Sequence, residues 1–240
     1  ISAYAGKWRY PPYFLLAVKL LVQNGVKVLL HGDSGQFVDR QYAQSFMQDL
    51  GFHQADTVEE AKLKAENGEP VYLALEKFAP DLKGILHLKS EIGVRTVFNT
   101  AVKMLNPLSA PCSMQGIFHK GVENLHHAAF SVNGAERNLV FKGEGGEPEV
   151  RPDALNMLHF SDKDSDALVE QKFTAIVERN SRPKTWSKEA LLELWNGQDE
   201  EDVYGKGAVI ATAAVALMMV KQMTADEALN QVQAWWLCRQ

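Results

Sequence analysis

Cysteine is nearly absent from this chain: only Cys112 and Cys238 occur, far apart and with no second Cys or His at zinc-like spacing. Neither a disulfide framework nor a structural metal site is indicated, and a reducing cytoplasm is the expected compartment. An excess of positive charge is also missing. The balance of 25 Lys and Arg against 30 Asp and Glu gives a net charge of -5, so nucleic acid or an anionic membrane would be attracted only by a local basic patch. The longest apolar run, Ala208 to Val220, is too short to span a bilayer and is interrupted by Thr212, which predicts a buried helix. The sequence shows no internal repeat, low-complexity tract, P-loop, Gly-x-Ser-x-Gly elbow or dinucleotide fingerprint, and no secretory signal is expected.

What is present is enough apolar material, 46% of 240 residues, to bury a full core. A helix is predicted from Pro11-Pro12 to Gly25 through Phe14, Leu15, Val18, Leu21 and Val22, and a strand over Val26–Leu30. A second helix is expected over Val38–Leu50, a capped helix at Thr57 and Glu60, and a strand over Val71–Leu75. Strand-helix alternation of this kind argues for a parallel sheet. Helical patterns flank Gly93, and short β-prone runs follow at Gly116–Phe118, Ala128–Phe130 and Asn138–Phe141. On that segment His126 and His127 would face opposite sides and could not share a metal. Pro148–Asp166 reads as an irregular surface connection. After Ala167 everything reads as helical, with a second capping box at Thr224 and Glu227 and with Trp235 and Trp236 in core packing or an interface.

The stretch Gly93-Val94-Arg95-Thr96-Val97-Phe98-Asn99, followed by Leu105-Asn106-Pro107, resembles the core signature of anthranilate phosphoribosyltransferase, also called glycosyltransferase family 3. The resemblance runs from Ile1 to the C-terminal helices. It implies an α/β fold with a mostly parallel, mixed sheet flanked by helices, the nucleoside phosphorylase and phosphoribosyltransferase type of catalytic domain, covering 1–240. The chain opens at Ile1 directly on a strand, and the expectation is that the family's N-terminal helical region, which supplies the dimer interface and part of the active-site wall, lies outside it.

Ligands of such sheets bind beyond the carboxyl ends of the strands. Where the family wraps the diphosphate of phosphoribosyl pyrophosphate in a Gly-Thr-Gly-Gly-Asp run, this chain has Ala3-Tyr4-Ala5-Gly6-Lys7. Gly6 is kept, and an acidic, metal-facing position becomes Lys7, either a solvated surface lysine or a phosphate-seeking ammonium. The family's Asn-x-Ser-Thr becomes Tyr13-Phe14-Leu15-Leu16, leaving only the N–H groups of a helix N-terminus for an anion. Its Lys-His-Gly-Asn becomes Leu30-His31-Gly32-Asp33, with His31 either fixing the turn or meeting a ligand. Its serine-rich phosphate loop becomes Gln36-Phe37-Val38-Asp39. Of two anthranilate contacts, the histidine aligns with Ala79 and the arginine with Arg95. The magnesium-binding Asp-Glu pair aligns with Pro148-Glu149, where Glu147 could substitute.

The candidate phosphate- or ligand-binding residues are therefore Gly6, Lys7, Arg9, His31, Gly32, Arg95 and Asn106, with Glu149 as the candidate metal ligand and no catalytic residue assigned. With so many donor-site groups changed, the resemblance points to a divergent bacterial branch whose members are nucleic-acid-binding homodimers. Lys7, Arg9, Lys19, Arg40, Lys83, Lys89, Arg95 and Lys103, with Tyr4, Trp8, Tyr10 and Tyr13 among them, would contact backbone phosphate and stack on bases of DNA or RNA. The alternative is a pentosyl or phosphoribosyl transferase with a changed donor or acceptor, resting on His31, Arg95 and Glu149, and bringing Mg2+ with it.

Overall fold

The computed structural model describes residues 1–240 apart from 36, 38, 89, 90, 92, 94, 95, 183–186, 200 and 240. Among the described residues, eight strands form one sheet: β1 (Ser2–Ala3), β2 (Leu29–Gly32), β3 (His53–Ala55), β4 (Val71–Ala74), β5 (Cys112–Ile117), β6 (Arg137–Lys142), β7 (Asn156–Asp162) and β8 (Ser165–Phe173), in the order β3-β4-β2-β1-β5-β6-β7-β8. Pairing is parallel from β3 to β6 and antiparallel for β7 and β8. The fold is thus the expected α/β class with a mixed sheet flanked by helices.

One face of the sheet carries the main core. Helix α1 (Phe14–Gln23) packs there with Val203–Lys221 and Ala225–Leu237, which meet Met114, Leu139, Phe141, Leu158 and Phe173 of the strands. Val203–Lys221 is buried around its circumference, as its uniformly apolar composition requires. Its buried Thr212 has a partner, because the Val150 N–H donates to Thr212 Oγ1 at 3.0 Å. This bond ties the chain just after Glu149 to the central helix. The other face is covered by α2 (Val58–Glu66), α3 (Pro80–His87), α4 (Phe98–Ala101) and α5 (Glu123–Phe130), over smaller clusters around Ala61, Leu73, Leu75 and Val102.

Four elements differ from the sequence expectation. The second strand lies at Leu29–Gly32 rather than Val26–Leu30. No helix spans Val38–Leu50: among the described residues only a 3₁₀ turn forms, at Ala43–Phe46. Gln41 pairs instead with Lys7 through two backbone bonds of 2.7 Å, which hold the chain extended into Tyr42. Ala128–Phe130 belongs to α5, a helix that buries His126 and Phe130 four residues apart on one face. Within Pro148–Asp166 the chain enters β7, and β8 carries it beyond Ala167. Strand β8 is an edge strand with an exposed, charged surface, a usual protection of sheet edges and the reason it lacks an apolar pattern.

The buried Val150 amide makes a direct test. Thr212→Val keeps the shape and removes the acceptor, so stability should fall by about 1–3 kcal/mol, whereas Thr212→Ser should lose much less. Chemical denaturation of the three proteins measures this.

Candidate anion site at the carboxyl ends of the strands

Loops leaving β1 and β6 meet at the carboxyl end of the sheet. Gly6 sits at φ +69°, a left-handed conformation that suits glycine, and this turns the amides of residues 5 and 6 toward one point. There Glu147 Oε1 accepts the Ala5 N–H at 3.0 Å and the Gly6 N–H at 2.6 Å. Arg40 latches the loop from outside, donating from Nη1 to the Ala5 carbonyl at 2.8 Å. The β6 loop is equally constrained, since a side chain on Gly116 or Gly143 would collide with the Glu147 backbone.

The adjacent carboxylate is also held internally. Lys7 Nζ donates to Glu149 Oε1 at 2.5 Å, with the two side chains 2% and 0% exposed. Glu149 Oε2 accepts the Phe14 N–H at 3.0 Å, the first amide of α1, where the helix dipole favours a negative charge. A second buried cation, Lys103, donates to the carbonyls of Gly116 and Gly146, both at 2.6 Å. Burial raises the carboxyl of Glu147, opposed by Lys103 and by the Gly6 amide. Burial likewise pushes Glu149 up to about 7, opposed first by Lys7. Glu147 Oε2 is buried without a partner.

Of the sequence candidates, Gly6, Lys7 and Glu149 come together here, with Lys7 in the interior rather than on the surface. Arg9 stays exposed at the rim, its guanidinium 4.7 Å from the Trp8 ring centre. His31 is buried one strand away, its Nδ1 2.8 Å from Tyr4 Oη and its ring edge-on to Tyr4 and Phe78. Gly32 is required because a Cβ would strike the Ala3 carbonyl. Asn106 bonds Ala110 in both directions, at 2.8 and 2.9 Å. It lines a small apolar cavity with Val26, Leu29 and Cys112 near the starts of β2 and β5, away from Gly6. Arg95 and Lys89 lie outside the described residues.

The sequence reading missed Lys103 and Arg40 as loop-holding groups and Asp33 as a buried one. Asp33 Oδ2 lies 2.8 Å from His87 Nε2, and its Oδ1 is left unpartnered. His126 and His127, read as strand residues, lie on α5 and bond Gln115 and Ser161 separately. Magnesium at Glu149 does not fit. Both carboxylate oxygens are engaged, the Lys7 ammonium supplies the countercharge, and among the described residues no cluster of three or more His, Cys, Asp or Glu could hold a metal.

Two outcomes follow from this geometry. Lys7→Met strands a buried carboxylate and should cost about 3–5 kcal/mol, while Lys7→Met with Glu149→Leu should recover at least half of that; denaturant melts of both variants decide it. Burial holds the His31 imidazole well below its ordinary value. The unfolded chain therefore takes up a proton near pH 6.5 that the folded one refuses, and His31 subtracts from stability as pH falls below that point. Its ring C–H resonances should not shift between about pH 8 and pH 5.

No protein-family model matches the sequence. The chain is 24% identical over 234 residues to the anthranilate phosphoribosyltransferase of Ignicoccus hospitalis, an alignment covering 90% of this chain and 69% of that protein. It is 32% identical over 136 residues to that of Paracidovorax citrulli, covering 56% of this chain and 39% of that one. Among solved structures, anthranilate phosphoribosyltransferase from Thermus thermophilus superposes with a TM-score of 0.74 at 20% identity, covering 98% of this chain and 72% of that one. The Saccharomyces cerevisiae enzyme gives 0.70 at 15% identity, covering 99% and 68%. The architecture is that of these solved structures, an α/β fold with a mixed sheet flanked by helices, and the sequence similarity to anthranilate phosphoribosyltransferases runs along most of the chain.

Proposed function

We propose that this chain is a phosphoribosyltransferase-type protein that keeps an anion cradle for a phosphorylated pentose donor and closes it at rest with its own carboxylate. The carrying observation is Glu147 Oε1 on the amides of Ala5 and Gly6. Two converging N–H groups are suited to any anion, and here a carboxylate stands where the resemblance implies a diphosphate. A donor enters by displacing Glu147. In the transfer itself the bond from the ribose anomeric carbon to diphosphate oxygen breaks, a bond from that carbon to the acceptor forms, and the acceptor loses a proton. The chain's part in this is to hold the departing diphosphate on backbone amides, with Lys7 and Lys103 as fixed countercharges. Anthranilate is not the acceptor in this reading, since Ala79 offers no side-chain hydrogen bond where the resemblance implies a histidine.

A second reading, sequence-independent nucleic-acid binding, is favoured by one observation: Trp8, 44% exposed, has the guanidinium groups of Arg9 and Arg40 at 4.7 and 5.4 Å from its ring centre. Such a stack can receive a base and a phosphate. Among the described residues the wider patch expected from the sequence is not assembled. Lys7 and Lys103 are buried, Lys19 lies over Trp195, and Lys83 engages Glu76 and Ser34. Gel shifts over a salt series test it: affinity that falls steeply with salt and is lost in Arg9→Glu supports this reading, and no shift at low salt removes it.

The main reading is tested by titrating inorganic pyrophosphate and phosphoribosyl pyrophosphate calorimetrically into the wild type and Glu147→Gln. Removing the competing charge should tighten binding about tenfold, with no change on adding EDTA. Equal affinities, no binding by either protein, or binding abolished by EDTA would overturn it.

A further inference from the structure

A cleft of about 240 Å³ opens beside the anion site, lined by Thr96 and Asn99, by Phe118 and His119 after β5, and by Val122 and His126. Its polar floor can be assigned atom by atom. Gln115 donates from Nε2 to Ser113 Oγ at 2.9 Å, so its Oε1 is the atom 2.5 Å from His126 Nδ1. A carbonyl oxygen can only accept, which places the proton of His126 on Nδ1. Its Nε2 then carries a bare lone pair. That atom is buried without a hydrogen-bond partner, as is Thr96 Oγ1, and His126 is 1% exposed. Buried acceptors are almost always paired.

We propose that this cleft is a binding site for a small, uncharged aromatic molecule bearing an O–H or N–H group, which donates to Nε2 of His126. An anion is disfavoured, because it would set a second acceptor against the lone pair. Burial, with Lys103 next, holds the imidazole down to about 4, so it stays an acceptor at neutral pH. The aromatic preference comes from the lip: Phe118 is 36% exposed and meets the His119 ring edge-on with centres 4.8 Å apart, over the apolar surface of Ile117 and Val122. The site is distinct from the Ala5–Gly6 cradle and does not depend on the donor reading. It nevertheless abuts the loop after β6 that carries Glu147, because Phe118 lies against Gly146 and Lys103 lines the cleft while bonding the Gly146 carbonyl.

The test uses the full chain, labelled with 15N, in long-range proton–nitrogen spectra of the histidine rings, with phenol as probe and toluene as apolar control. His126 should appear as the Nδ1–H tautomer. Its Nε2 resonance should move upfield saturably with phenol and stay in place with toluene, and His126→Phe should abolish the preference for phenol over toluene. The opposite tautomer, an Nε2 resonance that phenol leaves unmoved, or equal binding of the two probes to the wild type would overturn the proposal. The wild-type spectra decide it even if the variant does not fold.

Discussion

Two carboxylates buried at the mouth of a parallel sheet must each be given hydrogen bonds and a countercharge, and much of the local architecture meets that requirement. Glu149 takes the Lys7 ammonium and the first amide of α1. Glu147 takes the two amides that the turn at Gly6 exposes. Lys103 sits beneath the same loop, bridging it to β5 through the Gly116 and Gly146 carbonyls. Removing one member leaves a charge or an amide stranded in the interior, where desolvation outweighs what any single contact contributes.

This is how a sheet of this architecture can hold its first loop in place without the glycine run that the resemblance implies. In the resemblance, that loop faces an external diphosphate and a metal ion. In the proposed function both roles are filled from within, Glu147 taking the Ala5 and Gly6 amides and Lys7 pairing with Glu149. The loop keeps its shape because Glu147 Oε1 accepts both of its converging amides. Arg40 and the Lys7–Gln41 pairing fix it from the other side, and the Val150–Thr212 bond anchors the carboxylate segment to the central helix.

Elements decided locally were legible in the sequence. The Pro11–Gly25 helix and the apolar Ala208–Val220 segment appear where their patterns place them, and Thr57 and Thr224 cap their helices through Glu60 and Glu227 amides. Elements decided by distant partners were not. Gln41 pairs with Lys7 and suppresses the helix expected from Val38, while the β7–β8 hairpin is too polar on its exposed edge to show an apolar pattern. The proximity of Gly6, Lys7 and Glu149 was legible as an alignment of loops, but the burial of Lys7 was hidden because its partner is 142 residues away. A charge reversal alone reads as a solvent-facing change. Only the fold shows that it completes an internal ion pair.

The most direct measurement is amide hydrogen exchange at Ala5 and Gly6 with and without inorganic pyrophosphate, followed in parallel with the Gly6 proton resonance. A charge-assisted bond of 2.6 Å should leave the Gly6 amide protected and far downfield in the free protein. Pyrophosphate should shift it saturably as the carboxylate is exchanged for the ligand. A Gly6 amide that exchanges freely and resonates with unbonded amides would contradict the closed cradle on which the account rests.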